Sequence, residues 1–209
     1  MHRILIADDH TVVRKGLKQI ILDAFPSAEI EEVADAEDLL KNVGAKTWDV
    51  VITDISMPGR SGLDVLQQIR LDHPKLPVLI LSVHPEDQYA IRVLKAGASG
   101  YLNKDSAPED LVKAIDRVMM GKKYITPSIA EKLATTLEQD AEKSPHEYLS
   151  DREFEVLKLL AAGKSVSDIG DQISLSASTV STYRARILTK MNLKTNADLT
   201  LYCVEHKLI

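Results

Sequence analysis

The stretch that decides the fold is DVVITD, residues 49–54. Its inner residues are apolar or β-branched and lack the alternation of a strand with one face in water, so they predict a strand covered on both faces. Residues 78–81, VLIL, show the same continuous pattern. Strands of this kind belong to parallel sheets that carry helices on both sides. The sequence therefore predicts a parallel α/β core.

Short β-branched runs, each followed by an amphipathic stretch, recur over residues 1–120. Proline and glycine breakers such as Pro26 and Pro58 separate the units. This pattern predicts a doubly wound, five-stranded parallel sheet as a first domain at residues 1–120. The predicted strands are residues 4–7, 30–34, 50–53, 78–83 and 100–102.

The rest of the chain shows only helical signals. Residues 121–146 indicate a linker, with a predicted helix from 127 to about 139 and a polar stretch after it. Gly170 and the short turn at 173–176 are typical of two helices packed as a helix-turn-helix. We therefore expect an all-α second domain of four helices at residues 147–209. Hydroxyl residues that can cap these helices are Ser150, Ser165, Ser176 and Thr195.

Bulk composition limits the function classes. The chain has 209 residues, 44% of them hydrophobic, which suffices for two cores. A net charge of −5 argues against indiscriminate nucleic-acid binding, whereas residues 150–209, with eight basic and seven acidic side chains, are mildly basic. The single cysteine, Cys203, cannot form an internal disulfide, and no segment is apolar over the length of a membrane span. We expect a cytoplasmic protein without a membrane partner.

Polar side chains follow the predicted strands at their carboxyl ends, which meet at one edge of a parallel sheet. Carboxylates gathered there repel each other unless a cation compensates them, and Mg²⁺ prefers such oxygen ligands. A positioned aspartate is also a competent nucleophile toward phosphorus, which a nearby ammonium and hydroxyl can stabilise. Asp9, taken alone, is equally well explained as the N-cap of the next helix. The strand-end residues are Asp8, Asp9, Asp54, Ser82 and Lys104.

Four motifs then carry a family resemblance: IADDH at 6–10, DISMPG at 54–59, LS at 81–82 and YLNKD at 101–105. Over about residues 1–120 the chain resembles the receiver domains of two-component response regulators. The resemblance implies that a cognate histidine kinase transfers a phosphoryl group to Asp54. It also implies a Mg²⁺ site of Asp8, Asp9, Asp54 and the Ser56 carbonyl, a switch pair of Ser82 and Tyr101, and Lys104 as the phosphate contact.

Two of these positions leave alternatives open. Tyr101 is also explained as an ordinary aromatic residue at a sheet edge. Asp105 stands where many receivers have proline after the lysine. Because a cis peptide bond is costly without proline, the resemblance does not decide whether the Lys104–Asp105 peptide is cis.

The third predicted helix of the second domain, residues 176–191, has two faces. Val180, Tyr183, Ile187 and Met191 recur on one side and predict its buried face. Residues 147–209 resemble a LuxR-type helix-turn-helix, so that the whole chain resembles the NarL/FixJ group of response regulators. That implies binding to double-stranded DNA, although cations on this helix are also explained as solvated charges. The candidate DNA contacts are Ser178, Thr179, Ser181, Thr182, Arg184, Arg186 and Lys190.

Proteins of this group usually bind DNA as dimers, with the fourth helix, here residues 195–206, at the interface. The resemblance therefore implies a homodimer with interface residues Leu199, Tyr202 and Cys203. Part of this stripe must also pack into the domain's own core, and the sequence does not separate the two roles. RNA polymerase is a further partner that such a regulator could bind.

Two other function classes fit part of the pattern. Phosphatases of the haloacid-dehalogenase type also use an aspartate nucleophile, Mg²⁺ and a lysine, but they need a second acid two residues after the nucleophile. This chain has Ser56 there. A binding protein with a static acid cluster would not need Lys104 and Ser82. We therefore expect a phospho-accepting transcription regulator and not a turnover enzyme.

Overall fold

The continuous apolar run at residues 50–53 forms the middle strand of a sheet. In the computed structural model this strand, β3 (Val50–Asp54), is buried at every residue, and so is β4 (Val78–Ser82). The structure describes residues 2–57, 60, 62–105, 107–138 and 144–209. The chain divides into two compact units, Met1–Gln139 and Asp140–Ile209.

The sheet of the first unit, within its described residues, has five parallel strands in the order β2-β1-β3-β4-β5. Ile52 of β3 lies opposite Ile6 of β1 and Leu79 of β4. Every predicted strand is present, and no end differs from the prediction by more than one residue. The predicted doubly wound parallel sheet is confirmed. The remaining strands are β1 (Arg3–Ala7), β2 (Glu29–Val33) and β5 (Gly100–Asn103).

Helices cover both faces of this sheet. On one face α1 and α5 pack together, and Ile21, Leu111 and Ile115 are buried against alternate residues of the strands. Complete burial of an isoleucine or leucine side chain contributes about 1.5–3 kcal/mol, so this layer holds the strands in register. The helices of this unit include α1 (Thr11–Ala24), α2 (Ala36–Ala45), α3 (Gly62–Asp72), α4 (Glu86–Lys95), α5 (Ala107–Met119) and α6 (Pro127–Glu138).

The helix expected in the linker, α6, belongs to the first unit. It packs against α4, and its Ile129 is 1% exposed. Just before it, Tyr124 pairs with Gly100 as a parallel β-bridge. The division of the structure after Gln139 thus differs from the predicted domain boundary at residue 120. Most of the polar half of the predicted linker, residues 139–143, lies outside the described residues.

The second unit is helical, as predicted. A 3-10 turn, Pro145–Tyr148, precedes helices α7 (Asp151–Ala161), α8 (Val166–Gln172), α9 (Ala177–Met191) and α10 (Asn196–Glu205). The side chains of all four predicted caps accept a backbone hydrogen bond at the start of their helices. Throughout the described part of the chain, no helix combines the length and apolarity needed to cross a membrane.

Close packing between α8 and α9 depends on Gly170. A Cβ atom at this position would lie 2.6 Å from the Leu175 carbonyl oxygen, far inside van der Waals contact. The turn between the two helices can therefore fold back only because residue 170 has no side chain. This close approach confirms the helix-turn-helix that Gly170 predicted.

An ion pair between a half-exposed lysine and a buried glutamate joins α7 to α9. Glu153 is 3% exposed and accepts a hydrogen bond from the Ser150 backbone N–H, completing the α7 capping box. Lys190 Nζ lies 2.6 Å from Glu153 Oε2. Burial by itself would raise the pKa of Glu153, but hydrogen bonds from Lys190 and Ser150 outweigh it and lower the pKa below 4.5. Glu153 is therefore charged at neutral pH.

We predict that Lys190→Met lowers the unfolding free energy of the second unit by about 1–2 kcal/mol. The reason is that Glu153 stays buried with one partner fewer, although the half-exposed ammonium keeps the loss below that of a fully buried pair. Hydrogen exchange of the α7 and α9 amides in the full chain measures this change.

The matched control is Arg186→Met on the same helix. Arg186 is exposed and makes no ion pair with the described residues, so its replacement should change the unfolding free energy by less than about 0.5 kcal/mol. Because the pKa of Glu153 is lowered on folding, the difference between the variants should persist at neutral pH and shrink as the pH falls below 4.5. Equal stability of the two variants at neutral pH would refute the role of Lys190.

Candidate functional site

The strand ends of the first unit bring together the residues predicted from the sequence. Asp8 follows β1 and is fully buried, whereas Asp54 closes β3 at 3% exposure. Lys104, directly after β5, places its Nζ 2.7 Å from Oδ2 of both carboxylates. One ammonium group thus bridges two buried acids that lie on neighbouring strands.

The charges of this cluster do not balance. Burial by itself would lower the pKa of Lys104, but hydrogen bonds with Asp54 and Asp8 outweigh it and raise the pKa, so the ammonium stays charged. Burial also raises the pKa of Asp54, and the hydrogen bond from Lys104 opposes that rise. With Asp9 nearby, one ammonium faces three carboxyl groups, and a further cation would be stabilised here.

The oxygen atoms fit a hard divalent cation. Asp8 Oδ2 and Asp9 Oδ1 are buried, with the Lys104 ammonium 2.7 Å from the first and the His10 ring Nδ1 2.8 Å from the second. A carboxylate oxygen has two lone pairs, so each can also bind a metal ion. Carboxylate oxygens of Asp8, Asp9 and Asp54 and a ring nitrogen of His10 all lie within 4.8 Å of one another. Mg²⁺ typically binds one or two carboxylates and keeps several waters. Asp9, about one-third exposed, leaves room for such waters.

His10 is a member of this cluster that sequence reasoning did not select. Its backbone N–H donates to Asp8 Oδ1 at 2.8 Å, and its ring Nδ1 lies 2.8 Å from Asp9 Oδ1. Its position directly after the acid pair was the available signal. His10, and not Asp9, is the residue that precedes α1 as its N-cap.

Ser56 contacts the site through its main chain. The Ser56 backbone N–H donates to Asp54 Oδ1 at 3.2 Å, while Lys104 donates to Oδ2. Both carboxylate oxygens of Asp54 therefore have a donor, which fixes the plane of the group. The Ser56 carbonyl as a metal ligand stays a prediction.

Ser82 and Tyr101 meet at His84, a residue that sequence reasoning missed. The His84 backbone N–H donates to Ser82 Oγ at 3.1 Å, and the Tyr101 hydroxyl donates to the His84 carbonyl at 2.7 Å. Tyr101 is fully buried, and the His84 ring stacks on Tyr89 of α4 with centroids 4.5 Å apart. The predicted switch pair is thus joined through one loop residue. The peptide bond between Lys104 and Asp105 is trans.

The polar face of α9 is the second candidate surface. Val180, Ile187 and Met191 are buried, which confirms the predicted inner face at these three positions, whereas Tyr183 is half-buried and also lines the depression on the polar side. The opposite side carries a depression of about 240 Å³. Its lining residues are Ser178, Thr179, Thr182, Tyr183 and Arg186.

The predicted cations of α9 differ in what they contact. Arg184 Nε donates to Asn196 Oδ1 at 2.6 Å, which ties α9 to the start of α10. Lys190 is paired with Glu153 as described above. Arg186 is exposed and makes no ion pair with the described residues, so its guanidinium is the most available to an external anion.

The predicted interface stripe of α10 requires a correction. Leu199 and Cys203 are fully buried in the core of the second unit, so neither can contact a partner while the unit stays folded. Burial raises the pKa of the Cys203 thiol to about 11. Spacing alone marked the inner face of the helix as the interface. The exposed apolar side chains of α10 are instead Leu201, at 60%, and Val204, at 56%.

Comparison with known proteins matches both units. Residues 4–116 match the response regulator receiver domain, and residues 147–203 match the luxR family of bacterial regulatory proteins. The chain is 35% identical to the response regulator UvrY of Escherichia coli K12 over 209 residues, covering 100% of this chain and 96% of UvrY. It is 34% identical to the response regulator GacA of Pseudomonas aeruginosa over 210 residues, covering 100% of this chain and 98% of GacA.

A solved structure supports the same assignment. RcsB from Salmonella enterica serovar Typhimurium, bound to promoter rprA in the presence of the phosphomimetic BeF₃⁻, is 27% identical with a TM-score of 0.63. The match covers 97% of this chain and 98% of the RcsB chain. The chain therefore belongs to the NarL/FixJ group of two-component response regulators, with a receiver domain and a LuxR-type helix-turn-helix domain.

Proposed function

We propose that this response regulator accepts a phosphoryl group from a histidine kinase on Asp54 and then regulates transcription by binding double-stranded DNA through α9. The observation that carries this proposal is the buried Asp54 carboxylate at the end of β3, held 2.7 Å from the Lys104 ammonium. A nucleophile and a cation at this distance form a site for a transferred anionic group.

The transfer needs little chemistry beyond positioning. An Asp54 oxygen forms a bond to phosphorus as the bond between phosphorus and the donor's histidine nitrogen breaks, and the imidazole leaves with that electron pair. Lys104 stabilises the negative charge on the phosphoryl oxygens, and the Ser82 hydroxyl donates to one of them. The Ser56 N–H keeps the acceptor carboxylate oriented during the attack.

Mg²⁺ is the cofactor that we propose for this transfer. Asp8, Asp9 and Asp54 would hold it, with the Ser56 carbonyl, and the clustering of the three carboxylates around a single ammonium supports this choice. When bound, Mg²⁺ neutralises charge on the phosphoryl oxygens. Turnover of substrates is not part of the proposal, because Ser56 stands where a phosphatase of the dehalogenase type needs an acid.

DNA binding is assigned to the polar face of α9. Helix α9 has 15 residues and hence a length of about 22 Å, which suits a major groove about 12 Å wide. Its exposed hydroxyl residues and Arg186 line one depression, where a phosphate or a base edge would find donors. Arg184 and Lys190 would have to exchange their present contacts for phosphate.

A homodimer is part of the proposal, through the outer face of α10. Leu201 and Val204 are three residues apart, so they share one side of the helix, and both are more than half exposed. A symmetric contact between two such faces would cover them and set two α9 helices at a fixed distance on DNA. We also propose a cytoplasmic location, where the kinase domain, DNA and RNA polymerase are available as partners.

Asp54→Ala tests the acceptor. With radiolabelled acetyl phosphate and Mg²⁺, labelling of the full chain should fall to background, because the variant has no nucleophile at the end of β3. The control Asp23→Ala, at an exposed carboxylate of α1, should be labelled like the wild type. Wild-type labelling of Asp54→Ala would disprove the assignment, and sustained hydrolysis of a small phosphate ester by the wild type would favour the phosphatase class.

Arg186→Ala tests the DNA surface. Binding to a mixed-sequence DNA duplex, titrated at several salt concentrations, should weaken, and the slope of log affinity against log salt should fall by about 1 as one phosphate contact is lost. Lys15→Ala, at an exposed lysine of α1, is the matched control and should leave the slope unchanged. Equal slopes for Arg186→Ala and the wild type would exclude Arg186 from the interface.

Leu201→Glu tests the dimer. In analytical ultracentrifugation of the full chain with phosphodonor and Mg²⁺, this variant should raise the dimer dissociation constant at least about tenfold, because it places a charge in an apolar contact. The control Leu71→Glu changes a similarly exposed leucine of α3 and should dimerise like the wild type. A wild type that stays monomeric would end the dimer proposal.

A further inference from the structure

The segment between α5 and α6 is bound to the edge of the sheet. The Tyr124 backbone N–H donates to the Ser99 carbonyl at 2.8 Å, and Tyr124 pairs with Gly100 next to β5. A Cβ atom at Gly100 would lie 2.9 Å from Tyr124, so the two backbones approach as closely as only glycine allows. Lys123 adds a hydrogen bond to the Ala98 carbonyl at 3.1 Å. The start of α6 is therefore placed beside β5.

Thr126 joins the first turns of two helices. Its hydroxyl donates to the Glu86 carboxylate, with Oε1 at 3.1 Å and Oε2 at 3.0 Å, and accepts from the Ile129 backbone N–H at 3.3 Å. A hydroxyl has one hydrogen and two lone pairs, so both contacts can form at once. Glu86 begins α4, and Thr126 caps α6. We call Glu86, Thr126 and Ile129 the α4–α6 clasp.

Glu86 of the clasp lies two residues along the chain from His84, in the loop next to the phosphorylation site. The His84 N–H donates to Ser82 Oγ, and the His84 carbonyl accepts from the Tyr101 hydroxyl. Only Pro85 separates His84 from Glu86 in the chain. The His84 ring also stacks on Tyr89 in the next turn of α4. A displacement of His84 therefore moves the first turn of α4 and, with it, the carboxylate that holds Thr126.

We propose that the clasp is the output device of the receiver, and that phosphorylation of Asp54 opens it and frees α6. This inference rests on the proposed function. The phosphoryl group draws the Ser82 hydroxyl toward itself, away from the His84 N–H that it now accepts. The loop then shifts, Glu86 moves from Thr126, and α6 loses its tether to α4, while the Thr126 hydroxyl can still accept from the Ile129 N–H.

The clasp also gives α6 a position in the chain that suits an output element. Helix α6 ends the described part of the first unit at Glu138, and the second unit follows it in sequence. In its first turn Ile129 is the buried apolar residue, whereas residues 127, 128 and 130 are exposed. The start of α6 therefore depends strongly on its remaining contacts, among them the hydrogen bond from Thr126 to Glu86.

Hydrogen exchange in the full chain, followed by mass spectrometry over residues 127–138, tests the proposal. Acetyl phosphate with Mg²⁺ should accelerate exchange of the wild-type α6 amides about tenfold, the scale of one lost hydrogen bond to a charged group. Thr126→Val loses the cap as well as the tether, so it should exchange at least as fast without phosphodonor and show no further increase with it. Thr126→Ser, which keeps the hydroxyl, should behave like the wild type.

A second variant, Glu86→Gln, tests the contact from its other side, so that a local effect of replacing Thr126 is not mistaken for loss of the clasp. Glu86→Gln keeps the shape of the side chain but weakens the hydrogen bond that Thr126 donates, since the acceptor loses its charge. It should raise α6 exchange without phosphodonor, by less than Thr126→Val does. Unchanged exchange in Glu86→Gln would overturn the role of Glu86 in the clasp.

Labelling of Asp54 in the same samples distinguishes failure of the clasp from failure of the proposed function. If Asp54 is labelled and α6 exchange stays constant or slows, the clasp proposal is wrong and the proposed function stands. If Asp54 is not labelled, the proposed function fails, and the inference fails with it. Exchange in α2, outside the path from Ser82 to Thr126 and away from the acid cluster, serves as the internal reference.

Discussion

The ion pair on which the first unit depends is the contact of Lys104 with Asp8 and Asp54. It joins the ends of β1, β3 and β5, so all three strands must be in register before the buried carboxylates have a partner. Loss of the ammonium would leave two buried acids uncompensated, a situation that costs about 3–5 kcal/mol in comparable sites. This lysine does not neutralise all the carboxylates of the site, and the remaining negative charge favours binding of a divalent cation there. Stability of the resting protein and affinity for a metal thus have one electrostatic origin.

A second constraint follows from the burial of this cluster. Because Asp54 is enclosed, a phosphoryl group bound there changes the protein surface only if the surrounding loops move. His84 is the residue on which those movements converge, since its N–H contacts Ser82 and its carbonyl contacts Tyr101. Both contacts use main-chain atoms, so they depend on the path of the loop and not on the identity of residue 84. The histidine ring adds a separate contact to α4 by stacking on Tyr89.

Sequence reasoning predicted what depends on periodicity and topology. Strands β3 and β4 were visible because burial on both faces demands continuous apolar residues, and the meeting of Asp8, Asp54 and Lys104 followed from the edge that parallel strands share. It missed contacts that leave no such trace. The pairing of Tyr124 with Gly100 uses backbone groups that every residue has. The helical stripe of Leu199 and Cys203 marked a buried face, but periodicity cannot tell a core from an interface, and the structure assigns both residues to the core.

The clasp responds to movement of packed elements and not to charge alone. A phosphoryl group adds a charge of about −1.5 to −2, but solvent and salt screen such a field within about 8–10 Å. Contacts between packed elements are not screened in this way, so a shift of the loop at His84 changes the position of Glu86 at the start of α4. Thr126 caps α6 and donates to Glu86 with the same hydroxyl, so the loss of that contact acts directly on the start of α6.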